Sequence, residues 1–118
     1  MNQEQLQTFC QSFNGVTSEF PFDDVTLVCK VMGKMFAIIP LDVEEASISL
    51  KCDPEKAIEL REQHEDIIEG YHLNKKHWNT VYCERGLPTS LLKELIVHSY
   101  DLVIKSLSKA TQVTLKSM

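Results

Sequence analysis

The sequence has 118 residues, of which 43% are hydrophobic and 25% are charged. This length and composition are ordinary for one soluble globular domain and exclude a disordered chain, a collagen-like repeat and a disulfide-dense scaffold. The formal net charge of −5 argues against a protein that coats nucleic acid by charge alone.

The first half of the chain predicts one helix followed by three antiparallel strands. Apolar residues recur at helical spacing from Leu6 to Phe13, which predicts a helix over residues 2–13. From Val25 the apolar period changes to two, and Gly33-Lys34 is suited to a two-residue type II′ hairpin turn. The predicted strands cover residues 25–31, 35–39 and 46–51.

The second half predicts a helix, two short strands and a long helix. Asp53-Pro54-Glu55 has the residues that begin a helix, which we expect to end at about His64. Short extended segments follow at 71–73 and 80–83, and the longest helix covers about 88–108, while the tail from Thr111 has no clear pattern. The predicted order is α-β-β-β-α-β-β-α. It indicates a single two-layer α+β domain over residues 1–118, with helices packed on an antiparallel sheet.

The four cysteines form no CxxC pair, and each lies in an apolar pattern that is typical of a buried structural thiol. Residues 1–15 lack the apolar core of a signal peptide, and no apolar run has the length of a membrane span. We therefore expect a cytoplasmic, monomeric protein that holds no cofactor and no metal and does not contact membranes.

The negative charge is unevenly distributed along the chain. Residues 1–70 contain five Lys and Arg against fourteen Asp and Glu, whereas residues 71–118 contain seven against three. The basic half begins at a polar, aromatic segment, residues 70–81, that folding requirements alone do not explain. Such a composition is tolerated in a loop that presents binding groups on a rigid scaffold.

This segment resembles the signature of the MmcQ/YjbR family of small bacterial proteins. The similarity covers nearly the whole chain in order, and it is carried by Tyr71-His72-Leu73-Asn74-Lys75-Lys76-His77-Trp78-Asn79-Thr80-Val81, Gly33-Lys34-Met35-Phe36-Ala37, Ser49-Leu50-Lys51-Cys52, Leu87-Pro88 and Ser99-Tyr100. The resemblance implies an α-β3-α-β2-α fold similar to secretion-chaperone-like and frataxin-like (CyaY-like) folds. It also implies DNA binding through a double-wing arrangement of two β-hairpins.

The side chains around this segment have the chemistry for nucleic acid. Lysine and arginine contact phosphates, asparagine and histidine exchange hydrogen bonds with base edges, and an aromatic ring stacks on an unpaired base. For Trp78 the sequence favours a core residue that packs the sheet against the last helix over a ligand contact, and Asn74 and Asn79 are also typical of groups that satisfy loop backbone. The candidate residues are Lys34, Lys51, His72, Asn74, Lys75, Lys76, His77, Trp78, Asn79 and Arg85.

Two chemical alternatives are weaker. His72 and His77 have H-x4-H spacing, but a metal site would need a third ligand from Cys83 or His64. Cys83 and His77 are a conceivable nucleophile and base, yet no nucleophile elbow or phosphate-binding glycine loop accompanies them. We therefore expect a protein that is not an enzyme.

A protein- or peptide-interaction module is the alternative from another functional class. The acidic second helix and the secretion-chaperone-like resemblance both allow a peptide or protein partner, and an edge strand can bind one by β-addition. This alternative predicts no affinity for oligonucleotides.

Overall fold

The structure, a computed structural model, describes residues 1–70 and 73–118. These residues form four helices and six strands. In chain order they are α1 (Gln3–Gln11), β1 (Val16–Glu19), β2 (Thr26–Val31), β3 (Lys34–Pro40), β4 (Ser47–Lys51), α2 (Pro54–Gln63), β5 (Ile67–Glu69), β6 (Trp78–Tyr82), α3 (Thr89–Ser106) and α4 (Lys109–Lys116).

The six strands form one antiparallel sheet in the order β1-β2-β3-β4-β6-β5. The predicted α+β class is therefore confirmed. β6 lies between β4 and β5, so the last strand in sequence completes the interior of the sheet rather than its edge. Within the described residues, none of the helices combines the length and the apolar character that a membrane crossing requires.

The two faces of the sheet have different surroundings. The helix-bearing face contributes side chains such as Ile39, Ile48 and Val81 to a large core that is shared with α1, α2 and α3. The opposite face, which we call the open face, has a smaller buried cluster formed by Val28, Ile38 and Trp78. Because strand residues alternate between faces, the register decides which residues reach solvent on the open face.

A bulge in β3 is held in place by the long helix. Cys29 pairs with Ala37 and Lys30 pairs with Met35, so Phe36 is an additional residue opposite that step of β2. The fully buried Ser99 of α3 donates from Oγ to the Phe36 carbonyl oxygen at 2.6 Å and accepts from the Lys51 amide at 2.9 Å. This hydroxyl therefore connects α3 to two neighbouring strands.

The turn between β2 and β3 differs from the prediction. Val31 pairs with Lys34, so the two turn residues are Met32 and Gly33, not Gly33 and Lys34. Both have positive φ, 49° and 83°, which is the type I′ pattern rather than type II′. The prediction was wrong because Gly33 was assigned to the first turn position, whereas it occupies the second.

Two elements were not predicted. β1 is an edge strand whose three residues after Val16 are all exposed and polar, so it carries little apolar periodicity. α4 covers the tail in which no pattern was identified, and Leu115 is its one buried residue. Asn14 Nδ2 donates to the Leu115 carbonyl oxygen at 2.7 Å, which joins α4 to the turn before β1.

The strands around the polar segment are also shifted from their predicted positions. The extended piece expected at 71–73 falls mainly on Tyr71 and His72, which lie outside the described residues. The strand that pairs with β6 is instead Ile67–Glu69, and β6 begins at Trp78, two residues before its predicted start.

Candidate nucleic-acid interface

The topology places lysines from distant parts of the sequence at one end of the sheet. The β2–β3 turn, the last residue of β4 and the turn before β6 share this end, because Leu50 pairs with both Ala37 and Asn79. The end of α3 joins them, since Lys34 Nζ lies 3.5 Å from the Ser106 carbonyl oxygen. We call this surface the basic end, formed by Lys34, Lys51, Lys75, Lys76, Lys105 and Lys109.

The turn before β6 is organised by Asn74. Its side-chain Oδ1 accepts from the Lys76 amide at 3.0 Å, and its carbonyl oxygen accepts from the amides of His77 and Trp78. The candidate base-reading side chain is thus engaged in its own turn, while Lys75 and Lys76 are exposed. Lys75 Nζ lies 3.8 Å from a carboxylate oxygen of Glu69, a solvent-exposed ion pair.

Lys51 and His77 lie beside this turn. Lys51 is the partner of Trp78 across the β4–β6 pair, and the His77 carbonyl oxygen accepts from the Cys52 amide at 2.8 Å. Both side chains are partly exposed. The structure therefore places Lys51, Asn74, Lys75, Lys76 and His77 at one end of the sheet, with Lys34 at the adjoining turn.

Trp78 is buried, but not where the core interpretation placed it. Its side chain is 8% exposed and packs with Val28 and Ile38 on the open face, away from the helices. The expectation that it packs the sheet against the last helix is therefore wrong. The reason is the earlier start of β6, which gives Trp78 the same orientation as Thr80 and Tyr82.

Asn79 is turned to the helix-bearing face and does not belong to the surface. Its side chain is 2% exposed, and its Oδ1 accepts from Arg61 Nη1 at 2.7 Å. Its Nδ2 donates to the Ala57 carbonyl oxygen at 3.3 Å. These contacts occupy the amide inside the protein, so the proposed role at a base edge is corrected to an internal link between β6 and α2.

Arg85 lies beyond the C-terminal end of β6, whereas Lys75 and Lys76 precede its start. Its Nη2 donates to a Glu45 carboxylate oxygen at 2.9 Å, and its guanidinium carbon lies 3.9 Å from the centre of the Tyr82 ring. The hydrogen bond and the positive charge hold the pKa of the Glu45 carboxyl below its ordinary value. Arg85 is thus engaged within the protein and separated from Lys75 and Lys76 by the length of the strand.

The end of the sheet around Arg85 is strongly acidic. The β1–β2 and β3–β4 loops, the turn before β5 and the segment after β6 all meet there, as the pairing of Thr26 with Pro40 and of Ser47 with Tyr82 requires. We call this surface the acidic end, formed by Asp23, Asp24, Asp42, Glu44, Glu45, Asp66 and Glu84. The two ends of the sheet therefore differ in their balance of charge, although Glu69 lies beside Lys75 at the basic end and Arg85 lies at the acidic end.

The catalytic and metal alternatives are not assembled in the described part of the chain. His77 precedes β6 and Cys83 follows it, a separation of about 20 Å along an extended strand. Cys83 is buried, and this burial raises its pKa to about 12, which disfavours the thiolate. His72 lies outside the described residues, and in the remainder no three His, Cys, Asp or Glu side chains are grouped to hold a metal ion.

Sequence reasoning missed two lysines of the basic end. Lys105 and Lys109 lie near the end of α3 and the start of α4, 24 and 28 residues beyond the signature segment that ends at Val81. The contact of Lys34 with Ser106, which brings the end of α3 to this surface, depends on the packing of α3 across the sheet, and residue spacing does not show it. The available signal was the positive charge of the C-terminal half as a whole.

Comparison with known proteins agrees with this architecture. The family model described as YjbR matches residues 11–102. The uncharacterized protein YjbR of Escherichia coli (strain K12) is 34% identical over 107 residues, which is 91% of each chain. The uncharacterized protein YbdF of Escherichia coli O157:H7 is 37% identical over 93 residues, covering 79% of this chain and 76% of YbdF.

Solved structures share the fold over most of its length. The Deinococcus radiodurans protein DR2400, described by the family-model domain DUF419, superimposes with a TM-score of 0.90 at 41% identity, covering 98% of this chain and 88% of DR2400. A protein from Pseudomonas syringae superimposes with a TM-score of 0.75 at 26% identity, and the alignment covers 86% of this chain and 98% of the Pseudomonas syringae chain. The resemblance read from the signature residues is thus confirmed, and the chain belongs to the YjbR family.

Proposed function

We propose that this protein binds DNA, without catalysis, through the basic end. The observation that supports the proposal is the convergence of Lys34, Lys51, Lys75 and Lys76 from three separate segments, the start of β3, the end of β4 and the turn before β6, onto one end of the sheet. Phosphate contacts position a protein on nucleic acid, and lysines on short turns of a rigid sheet are suited to make them. The surface therefore extends beyond the 71–85 hairpin that the sequence indicated.

The charge separation explains how a protein of net charge −5 can bind a polyanion. The acidic end lies at the opposite ends of the same strands, so a phosphate backbone is attracted at one end and repelled at the other. We expect the protein to bind end-on, with few phosphate contacts. Because Asn79 is buried and Asn74 closes its own turn, the described residues offer little for base-edge recognition, and we expect weak sequence preference.

The salt dependence of binding tests this proposal. Fluorescence anisotropy with labelled single-stranded and duplex oligonucleotides is measured at several salt concentrations. Since each neutralised phosphate contributes a slope of about −0.7 for single strands and −0.9 for duplexes, we expect a total slope of about −2 to −4. The variant Lys75→Ala/Lys76→Ala should weaken binding and make the slope shallower by about 1.5.

A charge-matched control separates a local surface from a general effect of net charge. Arg85→Ala/Lys93→Ala also removes two positive charges, but from the acidic end and from the first turn and a half of α3. We expect this variant to retain the slope of the parent protein. Absence of binding at low salt contradicts the DNA proposal, while equal losses in the two double variants contradict the choice of the basic end.

A further inference from the structure

The open face of the sheet carries a groove that the DNA proposal does not use. Its volume is about 610 Å³, within the range of sites that hold a small molecule or a short segment of chain. Its wall is mainly apolar and includes Phe22, Ile38, Pro40, Val43, Ile68 and Leu73. The helices cover the other face, so this groove is formed by the sheet, by the loops at its acidic end and by Leu73 of the segment before β6.

Three of the lining side chains are unusually exposed for their size. Phe22 is 62% exposed, Val43 42% and Ile68 41%. Phe22 and Val43 are in the β1–β2 and β3–β4 loops, whereas Ile68 is on the edge strand β5. Large apolar side chains grouped around a concavity are typical of an interaction site, in contrast to single exposed residues scattered over a surface.

The charges beside the groove restrict what it can hold. Asp23 lines it, and Asp24, Asp42 and Glu44 adjoin the same two loops and are exposed. Hydrogen bonds from the Val25 and Thr26 backbone and from the Thr26 hydroxyl hold the pKa of Asp23 below its ordinary value, so its carboxylate is ionised at neutral pH. Arg85 also lies at this rim, over the ring of the lining residue Tyr82, but it is paired with Glu45. The remaining carboxylates repel phosphates and attract ammonium and guanidinium groups.

We propose that the groove binds a peptide segment in which two or three apolar side chains are flanked by Lys or Arg. The apolar side chains occupy the concavity between Ile38, Val43 and Ile68, and the cationic residues lie against the carboxylates of the two loops. This partner differs from the one expected by β-addition to an edge strand, because it contacts side chains of the open face rather than unpaired backbone.

Trp78 provides a direct signal for occupancy of the groove. It is the one tryptophan of the chain, and it packs against Ile38 and Leu73, both of which line the groove. A segment that excludes water from these two residues changes the surroundings of the indole. Its intrinsic fluorescence therefore follows binding without any label.

The experiment titrates the full chain with three synthetic peptides and follows Trp78 emission. The first alternates leucine with serine between paired lysines, the second replaces the lysines by glutamates, and the third replaces the leucines by serines. We expect saturable binding of the first peptide, binding weaker by at least about tenfold for the second, and none of the third at about 1 mM. Since these comparisons change only the peptide, they do not depend on the folding of a variant.

Substitutions in the protein locate the site. Val43→Ser and Ile68→Thr should each weaken binding of the lysine peptide by about tenfold, through loss of apolar contact. Val113→Ser and Ile58→Thr are matched controls, because these residues are 66% and 49% exposed on α4 and α2. They should leave the affinity unchanged.

Four results would overturn the inference. The first is the absence of a saturable fluorescence change with the lysine peptide, and the second is an equal affinity for the glutamate peptide. The third is an affinity for the lysine peptide that Val43→Ser and Ile68→Thr leave unchanged. The fourth is self-association in sedimentation that these two substitutions abolish. The last result would assign the groove to a second copy of the chain. Oligonucleotide anisotropy on the same variants keeps the two proposals separate, since the DNA proposal predicts no loss from either groove substitution.

Discussion

At the scale of single residues, Asn79 shows that a polar side chain in a signature segment can be buried and link two elements of the fold. Replacing it by Ala removes the acceptor of Arg61 Nη1 and the donor to the Ala57 carbonyl oxygen. Because a buried partner left without its hydrogen bond costs about 1–3 kcal/mol, we expect Asn79→Ala to lower the free energy of unfolding by that amount. Urea denaturation measures it.

A second asparagine of the same segment gives the control for this prediction. Asn74 is exposed, and among the described residues its side chain accepts one hydrogen bond, from the Lys76 amide. Asn74→Ala should cost less than about 1 kcal/mol, since water replaces an exposed partner. Equal costs for the two variants, or a loss of DNA affinity in Asn79→Ala while the fold is retained, would contradict the internal role of Asn79.

His98 predicts a dependence of stability on pH. Burial, and secondarily the charge of Lys56, hold the pKa of His98 below the ordinary value of 6.5. Its Nε2 also accepts from the Asp53 amide at 3.3 Å, which requires the neutral ring. The unfolded chain therefore binds the proton more readily, and the free energy of unfolding falls as the pH is lowered from about 6.5 toward the folded-state pKa.

His98→Gln isolates this contribution, because glutamine keeps an acceptor and does not titrate. Urea denaturation at pH 7.5 and pH 5.5 should show a smaller loss of stability in the variant than in the parent chain. Asp23 and Glu45, whose carboxyl pKa values are lowered from 3.8 and 4.5, lose their stabilising effect at lower pH and leave this window unaffected. An identical loss in both proteins would show that His98 does not titrate on unfolding.

At the scale of elements, two glycines are required for different reasons: Gly33 for the conformation of a turn, and Gly15 also for the close packing of α4. Gly33 has a φ of 83° and open space around an added Cβ, so Gly33→Ala should cost about 1–2 kcal/mol from backbone conformation alone. Gly15 has a φ of 72°, and an added Cβ would clash with Leu115 Cδ1 of α4. We expect Gly15→Ala to be the more destabilising of the two in thermal and urea unfolding.

A double-variant cycle shows whether α4 is the cause. Leu115→Ala loses core packing of its own but removes the atom that the new Cβ meets. The cost of Gly15→Ala/Leu115→Ala should therefore be smaller than the sum of the single costs. Additive costs would show that Gly15 is needed for its φ alone.

The same elements show what the sequence could and could not predict. Periodicity located α1, β2, β3, β4, α2 and α3 because each has several apolar residues on one face. β1 has a single apolar residue, Val16, and in α4 the apolar residues are few, with Leu115 buried and Val113 exposed, so neither element was recognised. For β6, the two-residue error at its start hid the alternation that puts Trp78 and Asn79 on opposite faces.

At the scale of the whole molecule, charge is organised by topology rather than by sequence neighbourhood. The excess of lysine after residue 70 indicated where a binding surface would begin, and Lys75 and Lys76 of that region are exposed. That Lys34 and Lys105 join them, while Arg85 does not, depends on strand direction and on the packing of α3. The groove on the open face was likewise not predictable, because its lining comes from five strands and loops distant in sequence.

The position of β6 between β4 and β5 has a consequence for synthesis of the chain. Until residues 78–82 have left the ribosome, Ser47–Lys51 has a neighbour on only one side, and its outer amides and carbonyls remain unpaired. An unpaired apolar strand edge is a template for aggregation. Nascent chains and N-terminal fragments that stop before Trp78 thus expose an aggregation-prone strand edge, which β6 covers in the full-length chain.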